Sequence, residues 1–179
     1  MRRTNERQKV PTTRGEDLVD FGEIPPAVNE ILQEGVALHR HDRAAADAAF
    51  RRALALDPTS LATRFCLYKI HTYAGDLDAA LEVAEDALRE AARQANLAPD
   101  WTTWAPEEMD PTGPRRFALY TLKALAFIHL RRDEPEAAAS VLARLTALDP
   151  GDAVGGSVVA ALAAGSTERR VNPIFRPIG

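Results

Sequence analysis

Histidine and cysteine are the side chains best suited to hold a metal or to attack a substrate, and this sequence has five of them: His39, His41, Cys66, His71 and His129. A metal pair on one helix needs ligands three or four residues apart, because only those share a face. His39 and His41 are two apart and diverge. His71 and His129 fall at the same place in two repeating segments, which marks them as positions between helices rather than ligands. Cys66 is the only cysteine, so it closes no internal disulfide and the chain needs no oxidising compartment. The acidic residues Glu107, Glu108 and Asp110 lie in a Pro-rich stretch and read as a solvated loop. The segment GGSVVAALAAG, Gly155 to Gly165, lacks the lysine of a phosphate loop and follows no strand. The expectation is a protein with no catalytic residue, no metal and no cofactor.

The bulk properties narrow the class further. Apolar residues make up 46% of the 179, enough for one domain with a core, but aromatics are only 6%. Leucine, alanine and valine must therefore build that core. A net charge of −4 argues against nucleic acid or anionic membrane as the partner, since both select a basic excess. The longest mostly apolar run, Ala153 to Gly165, is too short and too rich in glycine and alanine to span a bilayer. The start MRRTNERQKV carries the charge of a signal peptide, but no apolar stretch follows it. The expected location is cytoplasmic.

What the chain does carry is a period. HDRAAADAAFRRALALDP, His41 to Pro58, aligns with AGDLDAALEVAEDALREAA, Ala74 to Ala92: Asp42 and Asp76, Ala46 and Ala80, Ala53 and Ala87, and Leu54 and Leu88 are each 34 residues apart. A third copy, RDEPEAAASVLARLTALDP, Arg132 to Pro150, follows after 58 residues, one period plus an insertion of 24. A second amphipathic segment precedes each copy: Ala27 to Arg40, Leu61 to Ala74, and Arg115 to Arg132. Leu61, Phe65, Leu67 and Ile70, and then Leu119, Leu122, Leu125, Ala126 and Leu130, sit at helical spacing.

Helix, turn, helix and an Asp-Pro stop, repeated every 34 residues, resembles the tetratricopeptide repeat (TPR). Ala46, Phe50, Ala53 and Pro58 match the second half of that signature in unit one, Ala80 and Ala87 in unit two, and Ala138 and Pro150 in unit three. Leu67 and Leu125 match its leucine. The departures are Gly35, one residue out of register, Arg64 and Leu122 in place of the signature tryptophan, and Ala84 and Leu142 in place of its phenylalanine. The resemblance implies an all-α fold, a right-handed α-solenoid of TPR-like helical hairpins. Its domain covers 25–164, with units at about 27–60, 61–95 and 115–152 and a capping helix at 152–164. A Trp/Pro-rich insertion at 96–114 interrupts it, and a flexible arm at 1–24 and a tail at 165–179 flank it.

Elementary packing rules explain the alanines. Antiparallel helices approach closely only where side chains are small, and Phe50, between Ala46 and Ala53, is the knob that fills the remaining space. Asp42 and Asp76 are expected N-caps, Pro135 a first-turn proline, and Asp57-Pro58 and Asp149-Pro150 helix stops. Asp152 is expected to cap the last helix.

In TPR proteins the first helix of each unit lines a concave face. By that resemblance, Phe65, Lys69, Thr72 and Tyr73 of unit two point into a groove with Tyr120, Lys123, Phe127, Leu130 and Arg131 of unit three. In unit one the candidates are Asn29, Leu32, Val36, His39 and Arg40. Val36 and Cys66 occupy the asparagine places of the carboxylate clamp found in some co-chaperones, so no such clamp is expected. Trp101 and Trp104 in the insertion are either partner anchors or rings folded back over the neighbouring helices. Leu18, Val19, Phe21 and Ile24 in the arm, and Ile174, Phe175 and Ile178 in the tail, are apolar residues able to dock on the solenoid or on a partner. The function this implies is a non-catalytic interaction module, an adaptor or assembly chaperone. It would hold a peptide segment of a protein partner that offers apolar anchors and acidic residues. The alternative is a structural subunit using the Trp loop and tail as permanent interfaces, and a second copy of the chain is a further candidate partner.

Overall fold

The computed structural model describes residues 23–110 and 112–171, with side chains through Gly165. Leu18, Val19, Phe21, Ile174, Phe175 and Ile178 lie outside the described residues. Among those described there is no strand. The α-helices are α1 (Pro26–Leu38), α2 (Arg43–Leu56), α3 (Leu61–Ala74), α4 (Leu77–Ala95), α5 (Gly113–Arg131), α6 (Pro135–Leu148) and α7 (Gly156–Val171). Each helix packs on the next in chain order, and α5 also touches α3 on one side and α7 on the other. That pattern sets α3, α5 and α7 side by side.

The ends of the helices follow from local chemistry. Asp42, Ser60 and Asp76 accept from the backbone N–H of Ala45 (2.9 Å), Thr63 (3.2 Å) and Ala79 (3.3 Å). Each bond satisfies a donor that the helix leaves open, worth about 1 kcal/mol. Asp57, before Pro58, is extended at φ −132° and closes α2. Gly75 ends α3 at φ 81°, a conformation that suits glycine.

The core has the expected alanine seam. Ala46, Ala53, Ala80, Ala84, Ala87 and Ala138 are wholly inaccessible to solvent. Phe50 is buried beside Ala46 and Ala53, and the odd register of Gly35 is explained by it. A Cβ built on Gly35 would lie 2.4 Å from Phe50 Cε1, so the ring closes directly on the backbone of α1. Arg64, at a tryptophan place of the signature, is also buried. Its Nε donates to Asp86 (2.8 Å) and its Nη1 to the Pro58 carbonyl (2.7 Å), joining α3 to α4 and to the preceding turn.

The insertion between α4 and α5 is a folded loop with two short 3-10 turns, Trp101–Thr103 and Pro106–Glu108. Asp100 accepts from the Thr102 amide (2.9 Å), and Glu108 accepts from the Ala105 amide (2.7 Å). Trp104 is only 1% exposed and donates Nε1–H to the Ala98 carbonyl at 2.7 Å, while its own carbonyl accepts from Arg144. It therefore belongs to the main core and is withdrawn from the candidate anchors. Trp101 is half-buried against the same core.

The last helix also differs from expectation. It begins at Gly156 rather than Asp152, and it continues to Val171 across the first residues assigned to the tail. Asp149 and Asp152 cause the delay. The Asp149 carboxylate accepts from the Ala153 and Val154 amides (both 2.9 Å), which holds the chain in a turn. Asp152 reaches forward to cap Ser157 (3.0 Å). Gly155 takes φ 72°, and a Cβ on Gly156 would lie 2.8 Å from Leu145 Cδ2, so both glycines of the pair have a structural reason.

Candidate functional site

A groove of about 560 Å³ runs between α3, α5 and α7. From α3 come Phe65, Tyr68, Lys69, Thr72 and Tyr73. From α5 come Tyr120, Lys123, Ala124 and Phe127. The far wall is the segment Asp152–Gly155 with Val158, Val159 and Leu162 of α7.

Seven of the nine groove positions expected on these two helices thus converge: Phe65, Lys69, Thr72, Tyr73, Tyr120, Lys123 and Phe127, while Leu130 packs half-buried against the core. Arg131 is outside the lining, with its guanidinium carbon 5.9 Å from the centre of the Phe127 ring. In unit one, Leu32 is buried in the first hairpin, while Val36 is exposed and away from this groove. The α7 wall was missed. Its only sequence signal was the i, i+4 pair Val158 and Leu162 on the outside of a helix assigned to covering the core.

The cations are partly committed within the fold. Lys69 Nζ sits 4.8 Å above the Phe65 ring. Lys123 Nζ sits 4.6 Å from the Tyr120 ring centre and donates to the Val154 carbonyl at 2.6 Å, which ties α5 to the far wall. Thr72 donates its hydroxyl to the Tyr68 carbonyl (2.6 Å) and so offers the groove mainly its methyl group. Burial holds the Tyr68 hydroxyl well above the usual tyrosine range, so it is neutral, and it faces Thr121. Of the large apolar side chains exposed among the described residues, Tyr73 (69%), Val158 (64%) and Leu162 (49%) gather at the rim, while Ile24, Val36 and Leu56 lie away from it.

The groups with latent chemistry are occupied structurally. His71 Nε2 approaches Asp47 Oδ1 at 2.9 Å, an ion-pair distance without hydrogen-bond alignment, and its Nδ1 lies 3.5 Å from Asp76. His129 Nδ1 lies 2.7 Å from Glu134. Burial pushes the Cys66 thiol up to about 11, against a smaller opposing pull from Lys69, so at neutral pH it is protonated and a poor nucleophile. Among the described residues, no group of three or more His, Cys, Asp or Glu is placed to hold a metal ion. No described helix is long and apolar enough to cross a membrane.

Asp152 at the groove rim carries a pH prediction. Hydrogen bonds from the Ser157 hydroxyl and amide hold its carboxyl below the ordinary aspartate value. A depressed folded-state value means that the cap stabilises α7 fully above the unfolded-state titration and is lost as pH falls through the folded one. The Ser157 amide resonance should therefore titrate at lower pH than a free aspartate; a midpoint at or above the free value would contradict the cap.

Comparison with protein-family models, with curated proteins and with solved structures gives no match.

Proposed function

We propose that this chain is a TPR-like right-handed α-solenoid acting as a non-catalytic interaction module, an adaptor or assembly chaperone that holds a peptide segment of a protein partner between α3, α5 and α7. The observation that carries the reading is the convergence of aromatic and apolar side chains from three separate helices on one open groove. Phe65, Tyr73, Tyr120 and Phe127 offer flat apolar area, and Lys69 suits carboxylates or peptide carbonyls. An extended segment with apolar anchors and neighbouring acidic residues is complementary to that lining. Burial of Trp104 weakens the alternative of a structural subunit built on the Trp loop.

A displayed library of random peptides selected on the full chain tests this. Enriched sequences should carry aromatic or aliphatic anchors near acidic residues. Their affinity should drop at least ~10-fold, about 1.4 kcal/mol, in Phe127→Asp and in Tyr73→Ala. Tyr73 is too exposed for its loss to unfold the chain, and helical circular dichroism checks Phe127→Asp. No enrichment, or affinities indifferent to both substitutions, would sink the reading.

A further inference from the structure

We infer that the groove has an occupant within the chain itself, the segment NPIFRPIG after α7, residues 172–179, which partners must displace. The inference rests on the reading of the groove as a peptide site and adds its regulation.

Three observations carry it. The first is position. The groove's far wall is α7, and this segment leaves the end of that helix. Leu162 lies nine residues before Val171, which is ~13.5 Å along the helix axis. Phe175 lies four residues after Val171, and extended chain covers ~13 Å in that span. A chain that spends Asn172 and Pro173 on a reversal covers ~16 Å from Pro173 to Ile178, which brings Ile178 back level with Leu162 and leaves Phe175 nearer the end of α7. The second is a stop signal in the sequence: a residue before proline disfavours the α region, and Asn172-Pro173 follows directly on the last described residue of α7. The third is complementarity. The segment carries Ile174 and Phe175 between Pro173 and Pro177, Ile178 just after them, and one charged side chain, Arg176. Aromatic-lined grooves favour proline-stiffened extended chain because little entropy remains to be lost on docking. The rim displays Tyr73, Val158 and Leu162 for the apolar side chains and Asp152 for the arginine. Tethering raises the effective concentration to the millimolar range, so a weak fit suffices for occupancy.

The test uses the full chain with p-benzoylphenylalanine at position 175. Irradiation should give adducts on groove residues of α3, α5 or α7. Mixing isotopically heavy and light chains should leave those adducts within single molecules. Heavy–light adducts would overturn the inference in favour of a second copy's tail, and adducts only outside the groove would overturn it outright. In a parallel assay, labelled VNPIFRPIG peptide should bind the full-length Phe175→Asp variant at least ~10-fold more tightly than the unaltered chain; equal binding would also overturn the inference. Adducts outside the groove, combined with library peptides that still depend on Tyr73, would remove self-occupancy and leave the peptide-site reading standing.

Discussion

Trp104→Ala is expected to destabilise the protein by about 3–5 kcal/mol, the range for truncating a buried tryptophan. The ring is 1% exposed and packs with Leu97, Phe117 and neighbouring core residues. Its removal also leaves the Ala98 carbonyl without the indole donor. Because the Trp104 carbonyl accepts from Arg144 of α6, the loop that carries the ring bridges hairpins two and three. The thermal midpoint should fall by at least about 6 °C. Trp104→Phe should recover part of the loss, since it restores one aromatic ring but lacks the rest of the indole and its Nε1 bond. A drop under 1 kcal/mol for the alanine variant would mean that the loop is not part of the core.

Phe50→Ala should be comparably costly, about 3–5 kcal/mol, because it empties the centre of the first hairpin. The informative result is its coupling to Gly35. Alone, Gly35→Ala should cost about 1–3 kcal/mol by overpacking, since its methyl would meet three ring atoms of Phe50 at 2.4–2.9 Å. With Phe50 already truncated, the same substitution should stabilise by up to about 1 kcal/mol, through helix propensity and partial filling of the void. This reversal of sign between the two backgrounds, read from urea unfolding as a double-mutant cycle, is the signature of ring-on-backbone contact. Additive effects would show that Gly35 is there for another reason.

The hairpins were legible because they rest on strong local signals: 34-residue spacing, small residues at fixed places, Asp caps and Asp-Pro stops. The α3 and α5 sides of the groove were legible for the same reason, since one helical face repeats at one period. What could not be read depends on contacts between segments distant in sequence. Nothing local to Trp104 shows that Ala98 and Arg144 will receive it. Of the two aspartates that delay α7, Asp149 reads as part of a helix stop and Asp152 as an ordinary cap until the turn they build together is seen. Val158 and Leu162 read as the outer surface of a covering helix, and only the proximity of α7 to α5 turns that surface into a wall. Gly35 looked like a register slip because the partner that requires it, Phe50, is on another helix.

The buried side chains fall into two groups. Val28, Leu32, Ala46, Phe50, Ala53 and Leu67 form a small one that is distinct from the larger group spanning α3 to α7. Leu67 is the α3 residue buried in the small group, and Ala62, Cys66 and Ile70 of α3 and Val83 of α4 are half-buried against it, so α1 and α2 are fastened to the rest mainly through one flank of α3. With two separate buried groups, the amino-terminal pair is expected to open sub-globally more readily than the helices that line the groove. Native-state hydrogen exchange and limited proteolysis should therefore reach α1 and α2 before α3, α5 and α7.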